Sequence, residues 1–441
     1  MTIDTEIYRP PAGLALREAH AHIAQHGLAL KMLALDGCAS GGDVLERIAA
    51  RVRDEAEQYR PLLAGGGRPE AWEPADGSGR TWPALGDLDR VTGARPFCGW
   101  CFDYHALLAN SAALSLAGIG VDTRDTPGSI IGRDPDGALS GLVFERAAIR
   151  VWDAVIGEDG PRDMDDLAAA VESLAGHGFV EVHDLKAQRW LGADLCALDG
   201  SARFADGLPL RAVLWPLVVD LDTALKSRSG WECDAVRLGG GKIFVDGTLN
   251  SRTAWMLDDY ADADRNGQPG KPRGVAMMSG AEIEDAVRRC DAAGVPMAAH
   301  AIGDAAVRAV LDAIETVRPK TPGFRIEHAE LIAESDVRRF ADLGVICSVQ
   351  PCHLLTDIEA LRRGVPDRLG RVLPLRSLID AGCGPGELLM FGSDTPIVRP
   401  DPTDSVRAAV ERRRAGMGED EAVGMGEALT ADEGWRCFGM G

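Results

Sequence analysis

From about residue 164 onward, short apolar runs rich in β-formers alternate with amphipathic helical stretches. This rhythm restricts the chain to a parallel sheet covered by helices. A helical pattern through Leu167, Val171 and Leu174 stops near Gly176 and Gly178, and Phe179 to Asp184 then reads as a buried strand with polar residues at its C-terminal end. Further strands are expected at 210–218, 242–245, 296–300, 324–328, 345–349 and 388–391, which makes seven. Between them, Val307, Val310, Leu311, Ile314 and Val317 share one helical face, and Ser279 with Glu282 forms a capping box. The best eighth strand lies far upstream, at 15–22. The expected fold is therefore α/β, a (β/α)8 TIM-like barrel with a long insertion after strand 1. Its parts are residues 1–30 (first strand), 31–163 (insertion) and 164–441 (remainder of the barrel). The insertion, marked by the turn-rich runs Gly65-Gly66-Gly67-Arg68-Pro69 and Asp134-Pro135-Asp136-Gly137, is expected to hold some structure of its own.

Charge narrows the partners. Lysine and arginine total 47 against 68 aspartates and glutamates, a net −21 that repels phosphate backbones and anionic membranes. Neither nucleic acid nor a membrane is expected as a partner. No run approaches the roughly 18 apolar residues of a membrane span. The start, Met1 to Glu6, lacks the basic head and apolar run of a signal peptide, so the reading is cytoplasmic. Ten cysteines are too sparse for a disulfide framework, and reduced thiols are expected. Cys98-Gly99-Trp100-Cys101 is one C-x-x-C without a second pair, which reads as two buried thiols on a strand rather than a redox or zinc motif.

The chemistry is concentrated in the histidines, nine in all. His20 and His22 stand at i and i+2, so on a strand both point to one side and can share a cation. His300 and His328 each close an expected strand, and Asp394 ends the last one with a carboxylate. In a (β/α)8 barrel such positions face the active-site mouth. A single histidine at a strand end is commonly just a hydrogen bonder, and an aspartate before Thr-Pro a turn former. Four histidines and an aspartate ending four strands together point to a metal site.

These residues occur in a set of phrases in fixed order: Glu18 to His22, Asp103-Tyr104-His105, Asn110 to Leu114, Gly137 to Glu145, Lys242 to Thr253, His300 to Asp304, Arg325 to Ala329, Ser348 to Pro351 and Gly392 to Asp394. As a set they resemble the amidohydrolase superfamily, in particular its YtcJ-like branch (amidohydrolase family 3), which includes N-substituted formamide deformylases. The resemblance implies a divalent metal centre of one or two ions, with zinc the expected metal and His20, His22, Lys242, His300, His328 and Asp394 as ligands. In two-metal members of the superfamily the lysine at the place of Lys242 is carboxylated and its carbamate bridges the ions. A desolvated neutral amine is the form able to make that bond. A bound cation lowers the pKa of water from about 15.7 to near 7. Asp394 is then expected as general base and general acid in cleaving a C–N bond of an amide, N-formyl group or cyclic amide. Ester hydrolysis, deamination or isomerisation on the same centre, or a non-catalytic barrel that binds a ligand, are the alternatives.

Around the centre, the resemblance places His105 and Arg252 near the mouth as binders of a small-molecule substrate, with loop anchors as the plainer reading. Trp82 is a candidate wall of the pocket, and His183 and His353, after strands 2 and 7, are candidates to reach substrate or hold a ligand in place. Asp304 is expected to cap a helix or support His300, and His26 and His177 to be structural. Members of the branch usually carry a β-sandwich built from both ends of the chain. Only a short segment precedes His20 and the chain stops at Gly441, so a barrel lacking that sandwich is expected, its bared face covered in a homodimer.

Overall fold

In the computed structural model, which describes residues 8–54, 60–69, 72, 82–102, 104–126, 128–157, 162–263 and 270–440, strand β1 (Leu16–Ala21) comes first. Asp103, the first residue of the phrase Asp103-Tyr104-His105, lies outside the described residues. The chain divides into two compact units, residues 28–163 and the rest.

The first of these is built on a six-stranded sheet: β2 (Leu33–Ala34), β3 (Leu62–Gly67), β4 (Phe97–Cys101), β5 (Ala106–Ala109), β6 (Ser129–Arg133) and β7 (Leu139–Glu145). The order is β2-β3-β4-β5-β7-β6, parallel across β2 to β4 and antiparallel beyond. Asp134 to Gly137 makes the β6–β7 hairpin turn, as its composition predicts, with the Gly137 amide donating to Asp134 O at 2.8 Å. The glycine run at 65–67 is a correction, since it lies in β3 rather than in a turn. Gly66 has φ +82 and a Cβ there would sit 3.2 Å from the Asp36 amide nitrogen, so a close strand approach accounts for the glycine. On β4, Cys98 and Trp100 pack with Val151 and Trp152 on one side, while Phe97 and Cys101 pack with Val44 and Ile48 on the other. Residues three apart on a strand face opposite ways, so Cys98 and Cys101 are two separate buried thiols and not a dithiol.

The other unit holds β1 and eight more strands: β8 (Phe179–Asp184), β9 (Arg211–Leu214), β10 (Val236–Leu238), β11 (Gly241–Phe244), β12 (Met297–Ala301), β13 (Arg325–His328), β14 (Ile346–Val349) and β15 (Leu389–Phe391). They form two wholly parallel sheets, β1-β8-β9-β10 and β11-β12-β13-β14-β15. Between the sheets, β10 and β11 are two halves of one extended run interrupted at Gly239 and Gly240. The Gly239 amide donates to Leu214 O and the Lys242 amide to Pro216 O, both at 2.8 Å. A Cβ on Gly240 would fall 2.2 Å from Pro296 O, so only glycine fits this break. At the far edges, Asp394 N donates to His20 O at 2.7 Å and His22 N to Thr395 O at 2.9 Å.

Strand alternation sorts the side chains. Val182, Ala212, Ile243, Ala299, Ile326 and Cys347 meet Leu167, Val171, Leu174, Val307, Val310, Leu311 and Ile314 from the helices Met164–Gly176 and Asp304–Val317 in one continuous core. Burying a side chain of this kind contributes about 1.5–3 kcal/mol. The alternate residues, among them Glu181, His183, Lys242, His300, Arg325 and Glu327, are therefore left on the opposite face. The Ser279–Glu282 capping box forms as expected, starting the helix Gly280–Ala292.

The cysteine expectation needs one correction. Cys196, on the helix Leu191–Leu198, is bonded to Cys233 across a sequence separation of 37, and the other eight cysteines form no disulfide among the described residues. The pairing comes from the helix packing over the chain that enters β10, which no local spacing announces. Among the described residues no helix is long and apolar enough to cross a membrane.

Candidate metal centre

The strand ends bring the expected residues together. His22 Nε2 lies 3.0 Å and His20 Nε2 3.4 Å from Asp394 Oδ1, and His328 Nδ1 lies 3.9 Å from Asp394 Oδ2. The ring centres of His20 and His328 are 4.8 Å apart, and those of His328 and His300 4.5 Å. Lys242 is fully buried one strand away from His300, paired with Ala298 in register, with Nζ 4.9 Å from the Phe244 ring centre. The Phe244 ring in turn packs 5.2 Å from His300.

Two of these side chains reach the cluster only because the backbone leaves the strand. By alternation His328 would share the helix-facing side of Ile326. A left-handed φ of 71° at His328, and of 62° at Asp394, turns both toward His20. Such conformations in non-glycine residues cost on the order of 1 kcal/mol or more and concentrate at functional sites.

Supporting groups fix the rings. His20 Nδ1 is 2.7 Å from Glu327 Oε2, which holds the proton on Nδ1 and leaves the Nε2 lone pair toward Asp394. Glu327 is gripped by the Arg325 guanidinium, whose Nη2 also donates to Ala19 O and Ser348 Oγ, both at 2.7 Å. His300 Nε2 lies 3.2 Å from Gly247 O. Asp246, given no role by the sequence reading, accepts from the amides of Ile302 (3.0 Å), Gly303 (2.9 Å) and Trp255 (2.8 Å), tying the segment after Lys242 to the one after His300. Asp304, in contrast, supports the Leu257 amide at 2.8 Å rather than His300, and begins the helix instead of capping it. Arg325 and Asp246 were present in the quoted motifs. What they lacked was any local signal separating a network member from an ordinary strand residue.

Burial sets the protonation states. It pushes His20 down to about 4, against the pull of Asp394 and Glu327, and His328 well below its ordinary value. Lys242 is lowered by burial to about 8, with Glu327 and Asp394 opposing. Burial opposes ionisation of Asp394, yet the neighbouring His20, His22 and His328 hold it well below the usual carboxylate range. Glu18 goes the other way, up to about 8, because burial outweighs the His20 and Ser393 amides that donate to its Oε1 at 3.0 and 2.8 Å. A carboxyl with a raised folded pKa contributes stability below its unfolded value that is lost as pH rises through the folded one. Chelator-treated Glu18→Gln is therefore expected to gain stability on the wild type between pH 4.5 and about 8, by on the order of a few kcal/mol, in urea midpoints. A pH-independent difference would remove Glu18 from the titrating set.

Of the expected substrate contacts, two are engaged elsewhere. Arg252 is 3% exposed and makes a two-pronged ion pair with Asp262, at 2.9 and 2.6 Å, besides bonding Leu249 O and Ala360 O. It is a buried loop anchor. His183 has Nδ1 at 3.0 Å from Arg325 Nη1 and Nε2 at 3.3 Å from Glu181, which occupies both ring nitrogens and leaves neither for a substrate. His353 is buried next to His328, their rings near parallel at 6.1 Å. His105 and Trp82 belong to the other unit, where His105 Nδ1 meets Glu145 at 2.8 Å and Trp82 Nε1 donates to Ser140 O at 3.3 Å. His26 and His177 both bond Ser173, at 3.0 and 2.8 Å, as structural histidines do.

The donor set fits a cation. Within it His22 Nδ1, His328 Nδ1 and Lys242 Nζ are buried without a hydrogen-bond partner among the described residues. Each such atom costs about 1–3 kcal/mol. Imidazoles and a carboxylate converging at 3.0–3.9 Å suit a divalent metal.

Histidines and an aspartate gathered where parallel strands end is an arrangement of metal-dependent α/β enzymes, whose working groups ride on the segments after the strands. The chain belongs to the amidohydrolase family (Amidohydro_3), whose family model matches residues 15–438. It is 28% identical over 431 residues to the putative amidohydrolase YtcJ of Bacillus subtilis, spanning 96% of this chain and 78% of that one. Against the N-substituted formamide deformylase of Arthrobacter pascens the identity is 29% over 383 residues, 81% of this chain and 65% of that one. Protein LONG AFTER FAR-RED 3 of Arabidopsis thaliana is 28% identical, with 90% and 68% covered. Among solved structures, uncharacterized metal-dependent hydrolases of Pyrococcus horikoshii and Pyrococcus furiosus match at TM-scores of 0.69 and 0.66. Identities are 23% and 26%, each match covering 96% of this chain, and 77% and 80% of those chains.

Proposed function

We propose that this protein is a divalent-metal-dependent hydrolase of C–N bonds in amides, N-formyl compounds or cyclic amides. The observation that carries the reading is the gathering of the His20, His22 and His328 ring nitrogens around the buried Asp394 carboxylate, at 3.4, 3.0 and 3.9 Å. The two parallel sheets are read as the staves of one closed (β/α)8 barrel, because hydrogen bonds bridge them at both edges. His20, His22, Lys242, His300, His328 and Asp394 would hold the ion, with zinc favoured by the imidazole-rich set. A divalent cation held there would supply Lewis acidity toward the scissile carbonyl and toward water. Lys242, neutral more readily than an exposed lysine, is the group able to take up carbon dioxide and become an anionic oxygen donor. Asp394 is ionised at neutral pH and accepts the proton of the attacking water, then delivers it to the departing nitrogen. Glu327 keeps His20 in the tautomer that points its lone pair inward.

Family membership and the likeness to the formamide deformylase support the N-formyl branch of this reading. Stripping metal with dipicolinate is expected to lower hydrolysis of N-formyl amines at least 100-fold, and zinc in bicarbonate buffer to restore it. The magnitude follows from losing both the polarised carbonyl and the acidified water. Undiminished turnover in metal-free protein overturns the reading.

A further inference from the structure

The two histidines at the end of β1 differ in how their second ring nitrogens are served. His20 Nδ1 meets Glu327 at 2.7 Å. His22 turns Nε2 to Asp394 Oδ1 at 3.0 Å, while its Nδ1 is buried with no hydrogen-bond partner among the described residues. A neutral imidazole carries one hydrogen, and the nitrogen that binds a cation must give its lone pair. Holding an ion through Nε2 therefore forces the His22 hydrogen onto Nδ1, in a buried place where it needs an acceptor.

Asp184, the last residue of β8, is 1% exposed and pairs in register with Ala21, the residue before His22. Its Oδ2 accepts the Ile23 amide at 2.6 Å, so the carboxylate lies against the peptide that joins His22 to Ile23. The Lys186 amide also points toward this carboxylate, yet Oδ1 is buried and meets no donor at hydrogen-bond geometry. Burial pushes the carboxyl up, and His22 comes first among the groups that draw it back down, which places the imidazole close by. A carboxylate has about four lone-pair sites, and two amides leave room for another hydrogen. A donor position and an acceptor, both buried and both unpartnered, thus adjoin the same short turn. We propose that Asp184 is a positioning residue for His22, its Oδ1 taking the Nδ1 hydrogen so that Nε2 presents its lone pair to a cation shared with Asp394. It would do for His22 what Glu327 does for His20.

Asp184 also has a plainer task, satisfying a free amide at the start of the helix Ile23–Ala29, and the test separates the two. The inference rests on the metal reading of the centre, so the quantity to measure is zinc affinity, by competition with a chelating dye. Asp184→Asn keeps an oxygen for the Ile23 amide and is expected to bind zinc about 10–100-fold more weakly than the wild type, the usual loss when such an outer partner is removed. Asp184→Ala is the second variant, and melting temperatures of the zinc-free proteins check both folds. In a His22→Ala background the loss should vanish, because no imidazole is left to position. Zinc-loaded wild type should also show a downfield ring-proton resonance that both His22→Ala and Asp184→Asn lack, and this signal decides the matter if His22→Ala binds no zinc. An equal loss of affinity in both backgrounds, or that proton retained in Asp184→Asn, overturns the proposal. Zinc held as tightly by Asp184→Asn as by the wild type sinks the proposal alone, whereas a wild type that binds no zinc sinks the metal reading and the proposal together.

Discussion

Asp394→Asn is expected to lower kcat by about 10³-fold, within the 10²–10⁴ range of a lost general acid–base group, and leave the fold standing. The exchange keeps the shape and size of the side chain, and asparagine is among the residues that best tolerate the left-handed φ of 62° found there. It removes the anion. In the wild type that anion is stabilised by His20, His22 and His328, whose ring nitrogens stand 3.4, 3.0 and 3.9 Å from its oxygens. The variant should melt within a few degrees of the wild type and lose the acid limb of its kcat/KM profile, since no carboxylate remains to be protonated. Metal content measured alongside separates loss of the base from loss of a ligand. Full activity in this variant would take the proton-transfer role away from Asp394.

Arg325→Met carries the largest expected effect on stability, a loss of about 3–5 kcal/mol, the cost of breaking a buried ion pair from one side. Arg325 is 2% and Glu327 0% exposed, so the abandoned carboxylate has no water to turn to. The same guanidinium bonds the backbone of β1 at Ala19, the hydroxyl of Ser348 on β14 and the imidazole of His183 on β8, so three strands lose a shared partner at once. Adding Glu327→Gln to Arg325→Met should recover part of the loss, because it removes the unpaired charge. Urea unfolding of the two single variants and the double variant reads the coupling. Additive losses would mean that the pair does not act as a unit. Activity should fall as well, since Glu327 also sets the tautomer of His20.

The strands of the parallel sheets were legible because each is a short apolar run closed by a polar residue. All eight expected ranges enclose or overlap observed strands, from β1 at Leu16–Ala21 to β15 at Leu389–Phe391. The segment before β11 was less so. Val236–Leu238 passed unnoticed because the glycines that follow it read as a stop, although they mark a close approach to Trp215 and Pro296. The candidate site followed the same division. His20, His22, His300, His328 and Asp394 announced themselves by sitting at strand ends, while Arg252 and His183 looked equally exposed to substrate and are held by Asp262, Glu181 and Arg325.

Residue order alone determined where strands end and which chemical groups stand at those ends, because alternation and turn chemistry act within a few residues. Only the tertiary structure decided which polar side chains satisfy one another and which are left buried and unpaired. Arg325 meets Ala19 across more than 300 positions, Cys196 meets Cys233, and Glu330 meets His353 with no bond between them. A buried polar atom must find a partner or pay for its lack, and that accounting closes over contacts distant in sequence, where no local pattern reaches.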